Sequence, residues 1–173
     1  MCAEVKPDSV DKETIRLNQL VVIIMGSESD RPHVDKIVET LNHFGVGHIM
    51  RVASAHKTPE HTLAILEEYK NTGDIVFIAV AGRSNALGGF IDGNTTFPVI
   101  NAPPPGEPHT IFSSLEMPSG IGASTVLYPE AAALHAVKIF ALSNHQLAAK
   151  YEAYQENLRR TIYDADNRTN YYK

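Results

Sequence analysis

The chain has 173 residues, 43% of them hydrophobic and 20% charged, with a formal net charge of -5. That length suits a single domain with its own core, and the acidic balance excludes a general nucleic-acid or anionic-membrane surface, which needs an excess of Lys and Arg. A lone cysteine, Cys2, leaves no intrachain disulfide and no thiolate metal cluster. Residues 1–19 read as a polar N-terminal tail without a secretory signal, and no apolar run reaches membrane-spanning length. A cytoplasmic, soluble protein is expected, still able to hold one small anionic ligand in a local cationic pocket.

Residues 20–25, LVVIIM, form a continuous apolar run suited to a strand buried on both faces. The turn GSESD follows. Val34, Ile37, Val38 and Leu41 then recur at helical spacing, with Gly45 as the stop. Residues 46–52 are a second strand. Thr58 in the N-cap position and Pro59 behind it open a helix to about Asn71. DIVFIAV, at 74–80, is the third strand, and GRSN its exit turn before a short helix over 86–91. FPVIN, at 97–101, is the fourth strand. A proline-rich loop, APPPGEPH, precedes the glycine-rich MPSGIGASTVL, which holds a fifth strand at 123–127. A helix spans 129–142. Ser143 and Gln146 predict a capping box for a last helix reaching about Asp164.

Strands alternating with helices through short connections imply an α/β fold, a parallel sheet with helices on both faces. The organisation expected is an α/β domain over 20–142, with 143–173 as a C-terminal helix and tail. Leu147, Tyr151, Tyr154, Leu158 and Ile162 share one face of that helix. The face can pack on its own domain or on another subunit; since earlier helices already serve the sheet, subunit contact is favoured.

Ligands of open parallel sheets bind outside the carboxyl ends of the strands, and three turns leave such ends. Gly26, Ser27, Ser29 and Asp30 offer a tight turn, hydroxyls and a carboxylate at a helix start. They suit a phosphate or the paired hydroxyls of a ribose, or else simply cap the helix. The turn is neither a Walker A loop nor the dinucleotide fingerprint. Ser54, Ala55, His56 and Lys57 precede the Thr58 cap. Lys57 and free helix N–H groups suit a phosphate, and an imidazole, with its ordinary pKa of about 6.5, suits proton transfer. The plainer alternative is a histidine satisfied in the fold and a lysine in solvent. Gly82, Arg83, Ser84, Asn85 and Leu87 bring a cation, polar groups and close backbone approach, or else only a capped helix start. Convergence of the three turns on one edge raises the functional reading for each. His33, His43, His48, His109, His135 and His145 are weaker candidates. His56 and His61 are five apart, which does not reproduce HExxH, so no metal is expected.

In this order, MGSESD, SAHKTPEH and AGRSNALGGFIDGNTTFPVI, continued by SSLEMPSGIGASTVL and AAALHAVKIFAL, the sequence resembles the aminoimidazole ribonucleotide carboxylase family of purine biosynthesis across residues 20–142. The resemblance implies a three-layer α/β/α, flavodoxin-like fold, a ribonucleotide monophosphate as substrate, assembly into octamers or tetramers, and neither ATP nor biotin as cofactor. It implies His56 as the catalytic residue. Ser27, Asp30, Ser54, Lys57, Gly82 and Ser84 fall at substrate-binding positions. The loop carrying Met117, Pro118, Ser119 and Gly120, together with the proline-rich loop, is expected to wall the pocket. One branch of the family is a mutase acting on the carbamate isomer, usually with Arg after the histidine, a GGAAHL-like third turn and MPxGIPV. Lys57, GRSNAL and MPSGIG resemble instead the branch that adds free carbon dioxide, here as a stand-alone form without the synthetase domain of the animal protein. A rival of another class is a flavodoxin-like module that binds flavin or another nucleotide without catalysis. Against it, Trp is absent and the third turn has no aromatic pair.

Overall fold

A computed structural model describes residues 19–170; residues 1–18 of the expected N-terminal tail, Cys2 among them, lie outside these, and its last residue, Gln19, belongs to the first strand instead. Five parallel strands stand in the order β2-β1-β3-β4-β5. They are β1 Gln19–Met25, β2 Gly47–Val52, β3 Asp74–Val80, β4 Val99–Asn101 and β5 Ser124–Thr125. The α-helices are α1 Arg31–Phe44, α2 Pro59–Tyr69, α3 Ala86–Asp92, α4 Phe112–Leu115, α5 Pro129–Ala141 and α6 His145–Thr169.

The apolar run of β1 is explained by its two faces. Side chains alternate along a strand, so Val21, Ile23 and Met25 join one core with residues of α1, α5 and α6. Val22 and Ile24 join a second core with Ile65 and Leu66 of α2 and Leu87 and Ile91 of α3. Residues 21–25 are all buried, leaving no face for a polar side chain in that part of β1. The result is an α/β/α sandwich with the strand order of flavodoxin-like folds. The order reverses between β1 and β3, so the turns leaving β2, β1 and β3 stand beside one another at the carboxyl edge.

α1 ends as expected at Gly45, whose φ of 73° is left-handed. Val46 N–H donates to the Leu41 carbonyl and Gly45 N–H to that of Asn42, a Schellman motif. Val46 is thereby used in stopping the helix, and β2 begins one residue later than expected. β4 begins at Val99 rather than Phe97, because Pro98 has no N–H to contribute and offers only its carbonyl, to Phe77 N–H. β5 shrinks to two residues.

The capping box expected at Ser143 and Gln146 does not form. Asn144 caps α6 instead, its Oδ1 accepting from Leu147 N–H at 3.0 Å. Its Nδ2 meanwhile donates to Gln19 Oε1 at 2.8 Å. Ser143 makes no capping bond: its Oγ donates to the Phe140 carbonyl and accepts from Gln19 Nε2, both at 3.4 Å. Both residues thus reach the first strand through Gln19, but only Asn144 does so while capping the helix. α6 also runs to Thr169, past the expected end at Asp164.

The apolar face of α6 divides. Leu147 is buried, and Tyr151 and Tyr154 pack on Phe44, with ring centroids 5.8 and 5.4 Å away. The first half therefore belongs to its own domain, where the sequence favoured another subunit. Leu158 and Ile162, 51% and 68% exposed, continue the stripe beyond that contact. Among the described residues no helix is long and apolar enough to cross a membrane.

Candidate active site

The three turns enclose a cleft of about 440 Å³. Gly26, Ser27, Ser29 and Asp30 line it from the exit of β1, Ser54, Ala55, His56 and Lys57 from β2, and Gly82, Arg83, Ser84 and Leu87 from β3. Twelve of the seventeen residues singled out in the sequence thus meet in one place.

The first turn is knit locally. Ser27 Oγ accepts from Ser29 N–H at 3.2 Å and from Ser29 Oγ at 2.8 Å, and Ser27 N–H donates to Asp30 Oδ2 at 3.2 Å. Ser27 and Asp30 therefore cap a single 3₁₀ turn over Glu28–Asp30, ahead of α1. Gly26 N–H donates to the Val80 carbonyl at 2.8 Å, joining this turn to the end of β3. Partial burial raises the pKa of Asp30 despite the bond from Ser27, so its charged form carries a desolvation cost. A ligand hydroxyl donating to it would offset that cost.

In the second turn Thr58 takes the N-cap position but does not cap. Its hydroxyl turns back, accepting from Ser54 N–H at 3.0 Å and donating to the Ser54 carbonyl at 3.3 Å. Ser54 Oγ in turn accepts from Lys57 N–H at 3.3 Å. These bonds fold 54–58 into a compact loop that leaves His56 and Lys57 exposed at the cleft. An exposed imidazole beside an ammonium and the start of a helix can hold an anion and still exchange a proton with a neighbouring molecule.

The third turn is anchored from below. Arg83 has φ of 43°, the left-handed region that a side chain rarely adopts. Asn85, expected at the pocket, is only 2% exposed and turns inward, its Oδ1 capping α3 through Gly88 N–H. That corrects its assignment to the cleft: its side chain serves the fold.

The wall expected from Met117, Pro118, Ser119 and Gly120 is likewise absent from this cleft. That loop lies on α3 instead. Met117 Sδ stands 3.1 Å from where a Cβ on Gly89 would be, and Gly122 N–H donates to Asp92 Oδ2 at 2.7 Å. The proline-rich loop lines a neighbouring cleft of about 750 Å³ with Leu127, Tyr128 and His33. Ser29 and Asp30 border both clefts.

His33 received little weight in the sequence, yet it is 8% exposed and its Nε2 has no partner among the described residues. Burial and the nearby Lys36 hold its pKa below the usual range. The signal was available: His33, Ile37, Leu41 and Phe44 share one helical stripe, and that stripe is buried. Among the described residues no cluster of three His, Cys, Asp or Glu side chains is placed to hold a metal ion.

Sheet order and cleft define a flavodoxin-like α/β enzyme-type domain with an open cleft at the switch point of a parallel sheet. Comparison with known proteins is more specific. The sequence model of the AIR carboxylase family matches residues 20–161, and the chain belongs to that family. It is similar to a phosphoribosylaminoimidazole carboxylase of Archaeoglobus fulgidus, 52% identical over 148 residues, covering 84% of this chain and 82% of that one. It is 45% identical over 168 residues to the bifunctional phosphoribosylaminoimidazole carboxylase/phosphoribosylaminoimidazole succinocarboxamide synthetase of Drosophila melanogaster, matching 95% of this chain but 38% of that longer protein. The crystal structure of Treponema denticola PurE superposes with a TM-score of 0.86 at 41% identity, covering 89% of this chain and 100% of that one.

Proposed function

We propose that this chain reversibly carboxylates 5-aminoimidazole ribonucleotide with free carbon dioxide, giving 4-carboxy-5-aminoimidazole ribonucleotide. The observation that carries the proposal is the exposed His56 at the rim of a cleft lined by hydroxyls, a carboxylate and the Lys57 ammonium. The amine on the adjacent ring carbon makes the reacting position enamine-like, so it attacks carbon dioxide without ATP or biotin. A carbon–carbon bond forms, the carbon–hydrogen bond at the same carbon breaks, and the proton passes to His56 as aromaticity returns. In reverse, His56 returns the proton and carbon dioxide leaves. Such proton transfer contributes about 10²–10⁴-fold.

In this reading Lys57 and Ser54 meet the phosphate, Ser27 and Asp30 the sugar-phosphate portion, and Gly82 and Ser84 contact the substrate from the third turn. The relatives' names support the substrate class. The working form is a homo-octamer or homotetramer in the cytoplasm, a reading supported by the apolar stripe left open at Leu158 and Ile162.

Purified protein offered aminoimidazole ribonucleotide with bicarbonate, and separately the carbamate isomer, tests the reaction. Carboxylated product from the first mixture is expected. Turnover of the carbamate alone would reassign the chain to the mutase reaction. Turnover of neither, with flavin absorbance in the purified protein, would support the non-catalytic nucleotide-binding module.

A further inference from the structure

Beneath the third turn lies a ring of four polar residues, joined through their side chains and closed on one backbone carbonyl. Asn85 Nδ2 donates to Ser114 Oγ at 2.9 Å and to Asn101 Oδ1 at 3.4 Å. Asn101 Nδ2 donates to Thr125 Oγ1 at 3.4 Å, and Thr125 Oγ1 donates to the Ser114 carbonyl at 2.6 Å, closing the circuit. Asn85, Asn101 and Ser114 are 2%, 0% and 1% exposed, so three of the four members are shut off from water, while Thr125 on the edge strand is half-buried. The backbone of the turn hangs from the same place: Asn85 N–H donates to Ser113 Oγ at 2.9 Å, and Ser113 Oγ also lies 3.3 Å from the Arg83 carbonyl.

Space for the ring is reserved by Gly88. A Cβ there would stand 1.5 Å from Asn101 Oδ1, so no other residue can occupy that point of α3 while Asn101 keeps its position. The ring also joins distant parts of the chain: the exit of β3, the end of β4, the short helix α4 and the edge strand β5.

Apolar side chains of the same volume would fill this space without the cost of burying amides and hydroxyls. What they would lack is direction. A satisfied polar network permits one arrangement of its members, and this one fixes the turn that holds Arg83 in a left-handed conformation and presents Gly82 and Ser84 to the cleft. We propose that the Asn85–Ser114–Thr125–Asn101 ring positions the third turn for substrate, with Asn85 and Ser114 as positioning residues that act through the backbone of 82–84. The proposal rests on the substrate reading above.

Two small substitutions in the full chain, Ser114→Ala and Thr125→Val, each remove one hydroxyl from the ring with little change in volume. Amide hydrogen exchange is the first readout. Exchange at 82–85 is expected to quicken about tenfold or more, while 54–57 keeps the wild-type rate. Steady-state kinetics is the second. The Michaelis constant for aminoimidazole ribonucleotide is expected to rise about tenfold, with kcat within about threefold of wild type. Unchanged exchange at 82–85, or an equal rise in all three turns, would overturn the proposal. So would faster exchange with an unchanged Michaelis constant, which would leave the ring a purely structural feature. If wild-type protein turns over nothing, the substrate reading fails, and with it the ring's catalytic purpose; exchange then decides separately whether the ring holds the turn.

Discussion

The second and third turns face each other across one cleft and are held in opposite ways. Residues 54–58 close on themselves through hydrogen bonds no longer than four residues in sequence, and their His56 and Lys57 stay exposed. Residues 82–85 make few bonds among themselves and hang from partners 16 to 30 residues away, the two Asn85 side-chain bonds being buried. The difference assigns labour. A locally braced loop can carry a reactive side chain at little structural cost, because changing that side chain disturbs nothing else. A loop fixed from below carries few reactive groups but sets where the ligand sits.

The sharpest break of this comparison comes at His56. His56→Asn is expected to lower kcat about 10²–10⁴-fold, with substrate affinity within about threefold and stability within about 0.5 kcal/mol, because the side chain is exposed. Stopped-assay kinetics with equilibrium binding checks it; retained turnover would remove His56 from the mechanism. The third turn should show the reverse. Gly88→Ala forces a methyl group onto Asn101 and is expected to cost about 3 kcal/mol in urea unfolding, as overpacking of a tight interior does. A cost near zero would mean that the ring yields easily and the anchoring is loose.

A smaller effect tests local bracing. Thr58→Ala removes the bonds to Ser54 and is expected to cost about 1 kcal/mol by thermal or chemical unfolding, with exchange quickened only within the second turn. Spread of that change to 82–85 would show that the two turns are not independent.

The first turn supplies an intermediate case and the smallest effect. His33 lies behind it with its folded pKa depressed by burial, so near the unfolded value of about 6.5 the unfolded chain binds more protons. Stability from this group is present above that pH and lost as pH falls below it. Melting temperature should therefore decline on acidification from pH 7.5 to 5. Part of that slope should vanish in His33→Asn, and a further part when His135, depressed for the same reason, is also replaced by Asn. An unchanged slope in the double variant would assign the acid sensitivity to other groups.

Much of this architecture was written locally. The double-sided apolar run of β1, the glycine stop of α1 and the span of β3 depend on neighbours in sequence, and each was read to within a residue. So was the position of the three turns, which follows from where strands end. What escaped depends on remote partners. Asn144 rather than Ser143 caps α6 because Gln19 is there to receive its amide. Asn85 faces inward because Ser114 and Asn101 await it, and the Met117 loop lies on α3 because Gly89 leaves room. Turn composition announces that a polar group is present; only the tertiary fold decides which way it points.

The strand order carries one more consequence. β1 lies between β2 and β3, and hydrogen-bonded neighbours stand about 4.8 Å apart, so the outer two turns emerge about 10 Å from each other. This gauge is set by the peptide backbone and is the same whatever side chains the turns carry. Substitutions in the cleft can therefore retune its chemistry, but the breadth of molecule that it straddles was decided when the second strand was laid on one side of the first and the third on the other.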